Sequence, residues 1–287
     1  MIGRAREGYP VTVTGLGCHV PERVLGNDEI AQLVDTSDEW IVARTGIRER
    51  RIAEPHEALS DIALPAARRA LENAGVRGEE LDLVVVATVT PDMAFPASAT
   101  LVADALGAAD AAAYDLSAGC TGFMYALAQA YGMVAAGLVE RALVVGGDVL
   151  SKILDWGDRS TLVLFGDGAG AVVLERSRSG GGFLGFELGA EGAGGVHLWL
   201  PGSGSRAFED AEKYVKMNGR EVFKFATRVL VTSGEKILEE CGRSVDEIDL
   251  YVPHQANVRI IDHATPGAVV GGKTGGTADR LLYAGDL

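Results

Sequence analysis

The rhythm of apolar and polar positions changes repeatedly along the chain. Positions 11–17 (VTVTGLG) alternate β-branched and small residues, a strand pattern. An Ala/Leu/Arg-rich helix is predicted over 60–73, with Ser60 and Asp61 as candidate caps and Gly75 as its stop. The run 81–89, apolar but for Asp82 and Thr88, reads as a strand buried on both faces. A helix over 96–106, a strand over 111–116, a helix over 121–138 and a strand over 141–147 follow. Strands alternating with helices predict an α/β protein with a parallel-rich sheet between helical layers.

The segment LENAGVRGEELDL (71–83) aligns without a gap on LEECGRSVDEIDL (238–250), at a constant spacing of 167 residues. Leu71, Glu72, Gly75, Glu80, Asp82 and Leu83 recur as Leu238, Glu239, Gly242, Glu247, Asp249 and Leu250. The pattern predicts two similar α/β halves, 1–176 and 177–265. Only 37 residues follow Leu250, so the second half is expected to be incomplete. Residues 266–287 are Gly-rich, keep neither period, and read as an irregular tail.

Composition narrows the class. Of 287 residues, 47% are apolar and 23% charged, the balance of an ordinary globular protein. A formal charge of −14 argues against nonspecific binding to nucleic acid or to an anionic membrane. The cysteines, Cys18, Cys120 and Cys241, are odd in number and lack CxxC spacing, so neither a disulfide framework nor a metal site is expected. The start of the chain is polar and no apolar run reaches membrane-spanning length, which points to the cytoplasm.

Two residues stand out chemically. Cys120 closes the predicted strand AAAYDLS and opens the apolar helix TGFMYALAQAYGMVAAGL. The positive end of a helix dipole favours thiolate there, and Gly119 leaves room for an incoming group. A small buried hydrophobe is the equal alternative for such a cysteine. His254, in YVPHQAN, ends a predicted strand, with Asn257 three residues on; strand ends are where open α/β sheets carry their sites. The run FGDGAGAVVLE (165–175) lacks phosphate-loop spacing and reads as a tight turn between strands.

Six segments, DTSDEWIVARTGIRERR (35–51), AFPASA (94–99), DLSAGCTGF (115–123), DWGDRSTLVLFGDGAGA (155–171), NGREVFKFA (218–226) and VPHQANVRII (252–261), resemble the β-ketoacyl-acyl-carrier-protein synthase III family. The resemblance implies a thiolase-like fold, two similar α/β halves in alternating helix and sheet layers. It implies a homodimer, no cofactor, and a reaction between acyl-CoA and malonyl-acyl carrier protein. Cys120 then takes a short acyl group from coenzyme A. Decarboxylative condensation gives a β-ketoacyl carrier protein and initiates fatty-acid synthesis.

Carried over by position, the resemblance makes Cys120 the nucleophile and His254 the donor that stabilises the enolate. Thr36, Trp40, Arg44 and Arg159 line the mouth that holds the adenine end of coenzyme A. Phe95 reaches across a dimer interface or is plain core, and Gly219, Phe223 and Asn257 border the substrate. Lys224 and Arg259, in a basic island with Lys216, Arg220 and Arg228, dock the acidic carrier protein. The family's third catalytic residue, an Asn in a later GNTSAAS-type segment, has no counterpart in the sequence, nor does its C-terminal glycine-rich loop. The chain as written is therefore expected to fold poorly or to have lost condensation. A shift of reading frame after about residue 265 accounts for this, and a binding subunit without chemistry is the alternative.

Overall fold

In the computed structural model, residues 8–178, 180–202, 204–206, 213–264 and 281–284 are described. Strands β1 (Val11–His19) and β2 (Arg23–Gly26) lead into helices α1 (Asn27–Ile30) and α2 (Asp38–Thr45). Then come β3 (Glu49–Ile52), α3 (Leu59–Ala74), β4 (Leu83–Ala87), α4 (Ser98–Leu106), β5 (Ala112–Leu116) and α5 (Gly122–Ala135). The first half closes with β6 (Arg141–Val149), α6 (Arg159–Leu162) and β7 (Asp167–Arg176). Beyond it lie β8 (Leu198–Trp199), β9 (Lys216–Met217), α7 (Gly219–Cys241), β10 (Leu250–Pro253), α8 (Val258–Ala264) and β11 (Leu281–Ala284).

The main sheet has the order β1-β7-β6-β4-β5. It is mixed rather than mostly parallel: β5, β4 and β6 run parallel, whereas β7 and β1 each pair antiparallel. The alternation of β4 distributes its wholly buried side chains between two cores. Val84 and Val86 meet Leu59, Ile62, Ala66 and Ala70 of α3, while Leu83, Val85 and Ala87 meet Ala126, Ala130 and Val134 of α5. Each fully buried Val or Leu contributes roughly 1.5–3 kcal/mol.

Two glycines set how close α3 lies to the sheet. A Cβ on Gly15 would stand 2.1 Å from the Ala70 carbonyl oxygen, and one on Gly17 2.2 Å from that of Ala66. Both contacts are to backbone, so only glycine fits. The predicted caps of α3 differ in detail. Ala58 is the N-cap residue, the Asp61 carboxylate accepts from its N–H at 2.8 Å, and Ser60 instead donates to Asp92.

The glycine run of β7 corrects the expected turn. Gly168 and Gly170 sit inside a ten-residue strand, opposite Asp148 and Gly146 of β6. Small residues are needed along this seam because a Cβ at Gly146 would reach within 3.0 Å of Phe123 on α5, and one at Gly147 within 2.9 Å of Ala169. In β7 itself a Cβ at Gly168 would come within 3.3 Å of Val20 and one at Gly170 would meet nothing within 4 Å, so the glycine run is part of a strand rather than a change of chain direction.

The internal repeat holds bond for bond. Both α3 and α7 end on left-handed glycines, Gly75 (φ 69°) and Gly242 (φ 64°). The Val76 N–H reaches the Leu71 carbonyl at 3.0 Å, and the Arg243 N–H reaches that of Leu238 at 2.9 Å. A short 3₁₀ turn follows in each, capped by Glu80 on the Arg77 N–H (3.1 Å) and by Glu247 on the Ser244 N–H (3.0 Å), and then β4 or β10 begins. Within the stretch read as irregular tail, 281–284 is a strand, β11, parallel to β10. Its backbone pairs with one edge of β10. The rest of that stretch lies outside the described residues.

Candidate active site

Cys120 sits in a one-turn 3₁₀ segment, Gly119–Thr121, between the end of β5 and the start of α5. Gly119 takes φ 58°, a left-handed conformation that glycine adopts without cost. The first turn of α5 rests on the sheet, where a Cβ at Gly122 would be 3.3 Å from that of Ala87. α5 buries one face through Ala126, Ala130 and Val134, but Gln129 and Gly132 are exposed, so the helix is not enclosed on every side as its apolar sequence suggests. Gln129 is its polar position and accepts from the Tyr114 hydroxyl at 2.9 Å.

The expected thiolate is not the resting state. Burial pushes the Cys120 thiol up to about 11, the negative charge of Asp148 adds to the rise, and a backbone hydrogen bond at the turn only partly opposes it. Asp148, near the end of β6, accepts four hydrogen bonds on one oxygen. They come from the Thr88 hydroxyl (2.8 Å), the Val89 N–H (2.8 Å), and the Thr90 N–H (3.2 Å) and hydroxyl (2.9 Å). Burial raises its pKa and these donors oppose the rise. A carboxylate following Gly146-Gly147 at the end of an apolar strand was the available sequence signal for this residue.

His254 follows β10 in the second half, and burial lowers its pKa, so its imidazole is neutral near pH 7. No hydrogen bond joins Cys120 and His254 among the described residues. Asn257 works locally: its side-chain oxygen accepts from the Arg259 N–H at 2.9 Å and its carbonyl from that of Ile260, which caps α8.

The structure gathers the residues of the predicted nucleotide mouth. The Arg44 guanidinium carbon lies 4.3 Å from the Trp40 ring centroid and that of Arg159 lies 4.9 Å from it. Arg159 also donates to the Asp35 carbonyl at 2.7 Å. Next to Asp35, the Thr36 hydroxyl oxygen is buried without a hydrogen-bond partner. A separate small core of Leu25, Ile30, Ile41, Ile52, Leu154, Leu162 and Val163 supports this cluster, with Trp40 and Trp156 packed against it.

A second group forms where α7 meets α8. Phe223 packs against Ala226, Leu230 and Ile260, with the Arg259 guanidinium 5.6 Å from its ring. Phe223 and Arg259 line a groove of about 370 Å³ with Asp262 and His263. Gly219 is the exposed first residue of α7. Lys224 is exposed and paired with Glu221 at 2.7 Å. The two groups adjoin, because a Cβ at Gly46, the C-cap of α2, would touch Val258 of α8 at 3.0 Å. Phe95 is 84% exposed, which removes the plain-core alternative for it.

A mixed sheet between helical layers, with a cysteine at the N-terminal end of a helix packed on the sheet, is the arrangement of a thiolase-like acyl-transferring enzyme. Residues 114–192, which include Cys120 and Asp148, match the family described as 3-oxoacyl-[acyl-carrier-protein (ACP)] synthase III. The β-ketoacyl-[acyl-carrier-protein] synthase III of Symbiobacterium thermophilum is 57% identical over 261 residues, covering 89% of this chain and 79% of that protein. That of Desulfitobacterium hafniense is 52% identical over 260 residues, 88% and 78% respectively. Among solved structures, the synthase III of Thermus thermophilus superposes with a TM-score of 0.83 at 49% identity, over 88% of this chain and 79% of that one. The chain belongs to the β-ketoacyl-[acyl-carrier-protein] synthase III family of acyltransferases.

Proposed function

We propose that this chain loads a short acyl group from coenzyme A onto Cys120 and condenses it with malonyl-acyl carrier protein, the initiating step of fatty-acid synthesis, the condensation being the half-reaction that the absent third catalytic Asn would impair. The observation that carries the reading is the placement of Cys120 on a left-handed glycine turn at the exit of a sheet strand, at the N-terminal end of α5. The thiol is protonated at rest, so its proton passes to the departing coenzyme A sulfur as the C–S bond to the acyl carbon forms and the bond to coenzyme A breaks, releasing the free coenzyme A thiol. In the second step the malonyl carboxylate leaves as CO₂. Its electron pair becomes an enolate that accepts a hydrogen bond from the neutral imidazole of His254. The enolate carbon then attacks the acyl-Cys120 thioester, and the thiol is released.

Trp40 offers a flat face for the adenine, and Arg44 and Arg159 meet its phosphates. Thr36 contributes a hydroxyl at the same mouth, while Gly219, Phe223 and Asn257 border the pantetheine arm. Arg259 and Lys224 receive the acidic carrier protein. Coenzyme A enters as a substrate, and no further cofactor is invoked. A homodimer is supported by β5, the terminal strand of the main sheet, and by Phe95, which projects from the loop before α4. All three cysteines are free and no described helix is long and apolar enough to cross a membrane, which is in keeping with a cytoplasmic site of action.

Intact-mass spectrometry after incubation with acetyl-coenzyme A tests the first step. One acetyl group is expected on the protein and none on Cys120→Ala; an unmodified protein, or an adduct that survives that substitution, overturns the assignment of the nucleophile.

A further inference from the structure

We propose that Arg50 is a positioning residue for the nucleotide mouth, acting through Asn27 to hold α2 and α6 in register and so to set Trp40, Arg44 and Arg159 against one another. The proposal rests on the reading that this cluster takes the nucleotide end of coenzyme A.

Of the arginines at 48, 50 and 51, Arg48 precedes β3 and is exposed, while within the strand the alternation turns Arg50, not Arg51, inward with Ile52. Arg50 is 4% exposed. One terminal nitrogen donates to the Asn27 side-chain oxygen, and the other to the carbonyl of Val163, the C-cap of α6, whose first residue is Arg159. The Asn27 amide nitrogen then donates in two directions: to the Asp38 carboxylate at 2.7 Å and to the Ile47 carbonyl at 2.9 Å. Asp38 is the first residue of α2, and Ile47 follows its C-cap, Gly46. One buried cation thus ties both ends of the helix carrying Trp40 and Arg44 to the helix carrying Arg159.

The arrangement answers a local weakness. α2 has eight residues and α6 four, too short to persist by helix propensity alone. Beyond apolar packing, the Arg159 bond to Asp35 links the α6 side to the segment before α2. Packing permits sliding that directional hydrogen bonds do not. Asn27 sits between the Arg50 cation and the Asp38 anion, so two of its three side-chain bonds are charge-assisted. Burying a charge carries a desolvation cost, and the Arg50 Nε–H has no hydrogen-bond partner, so the residue's presence is better explained by geometry than by stability. Burial pushes the Arg50 pKa down to about 10, which leaves it charged at neutral pH.

Two acyl donors separate positioning from general support: acetyl-coenzyme A, and acetyl-pantetheine, which lacks the nucleotide. Acyl-enzyme formation is followed by mass for the unaltered enzyme, Asn27→Ala, Asn27→Asp and Arg50→Lys, with thermal melts in parallel. The Asn27 variants and Arg50→Lys are expected to raise KM for acetyl-coenzyme A roughly tenfold, the worth of one positioning hydrogen bond, with kcat within about twofold and the acetyl-pantetheine rate unchanged. Asn27→Asp keeps an acceptor for Arg50 but repels Asp38, so it retains folding and still shifts KM. A parallel loss with both donors in folded variants overturns the proposal. Trp40→Ala should impair acetyl-coenzyme A more than acetyl-pantetheine; equal effects there overturn the nucleotide-mouth reading itself, and this proposal with it.

Discussion

The ends of α3 and α7 are built from the same sequence pattern and make the same terminal hydrogen bonds, yet the two helices are covered very differently. α3 buries Leu59, Ile62, Ala63, Ala66, Ala67, Ala70 and Leu71. Of the counterparts 167 residues on, Ala226 and Leu230 are buried, whereas Val229, Ser233, Gly234, Ile237 and Leu238 stay half-buried among the described residues. α3 lies on β1, β6 and β7 of the main sheet, while α7 packs on α8, β11 and the turn at 192–197. Local sequence therefore sets where a helix stops and how it is capped, and tertiary cover sets what each side chain is worth.

The sharpest way to break this contrast is to add a single methyl group to each half. Gly17→Ala places a Cβ 2.2 Å from a backbone oxygen and is expected to cost more than about 4 kcal/mol, seen as loss of the cooperative urea transition. Gly234→Ala meets nothing within 4 Å, and by helix propensity should stabilise by about 0.5–1 kcal/mol in the same measurement. The matched leucines give the next largest effect. Leu71→Ala should cost about 2–4 kcal/mol and Leu238→Ala about 1 kcal/mol, read from urea midpoints at constant slope. Equal costs would show that cover does not separate the halves.

The smallest expected effect concerns the site carried by the better-covered half. Iodoacetamide alkylation of Cys120 should rise about tenfold per pH unit and continue to rise beyond pH 9, because thiolate accumulates only as pH approaches the folded value of about 11. The sign for stability follows. A thiol raised above its unfolded pKa favours the folded state at low pH, and that contribution fades as pH climbs from the unfolded value toward 11. Asp148→Asn removes the neighbouring negative charge and should move the alkylation curve to lower pH; an unmoved curve would leave burial as the whole cause.

Much of this was legible in the sequence because it depends on local pattern. The strand β1, the order of elements from α3 to β6, the stop at Gly75, the recurrence of that stop at Gly242, and the position of Cys120 before a helix all follow from periodicity and glycine, whereas β2, α1, α2, β3 and α6 did not show in it. The neighbourhood of Trp40, Arg44 and Arg159 was legible only through family resemblance, since Arg159 lies on a different helix from the other two. What escaped depends on distance in the fold. The raised thiol pKa of Cys120 comes from burial and from Asp148 on another strand. The glycines of β7 read as a turn because the strands that pair with this segment, β1 and β6, are remote in sequence. The role of Arg50 was hidden among three arginines, because where β3 begins and which of its faces is buried are set by the fold.

The close seating of α3 on β1 also limits how this sequence can drift. Where a side chain limits space, a neighbour can shrink in compensation, and a two-step mutational path stays open. At Gly15 and Gly17 the obstructing atoms are the carbonyl oxygens of Ala70 and Ala66, which no codon change removes. These two positions are dead ends for substitution, single or paired, unless the whole helix moves off the sheet.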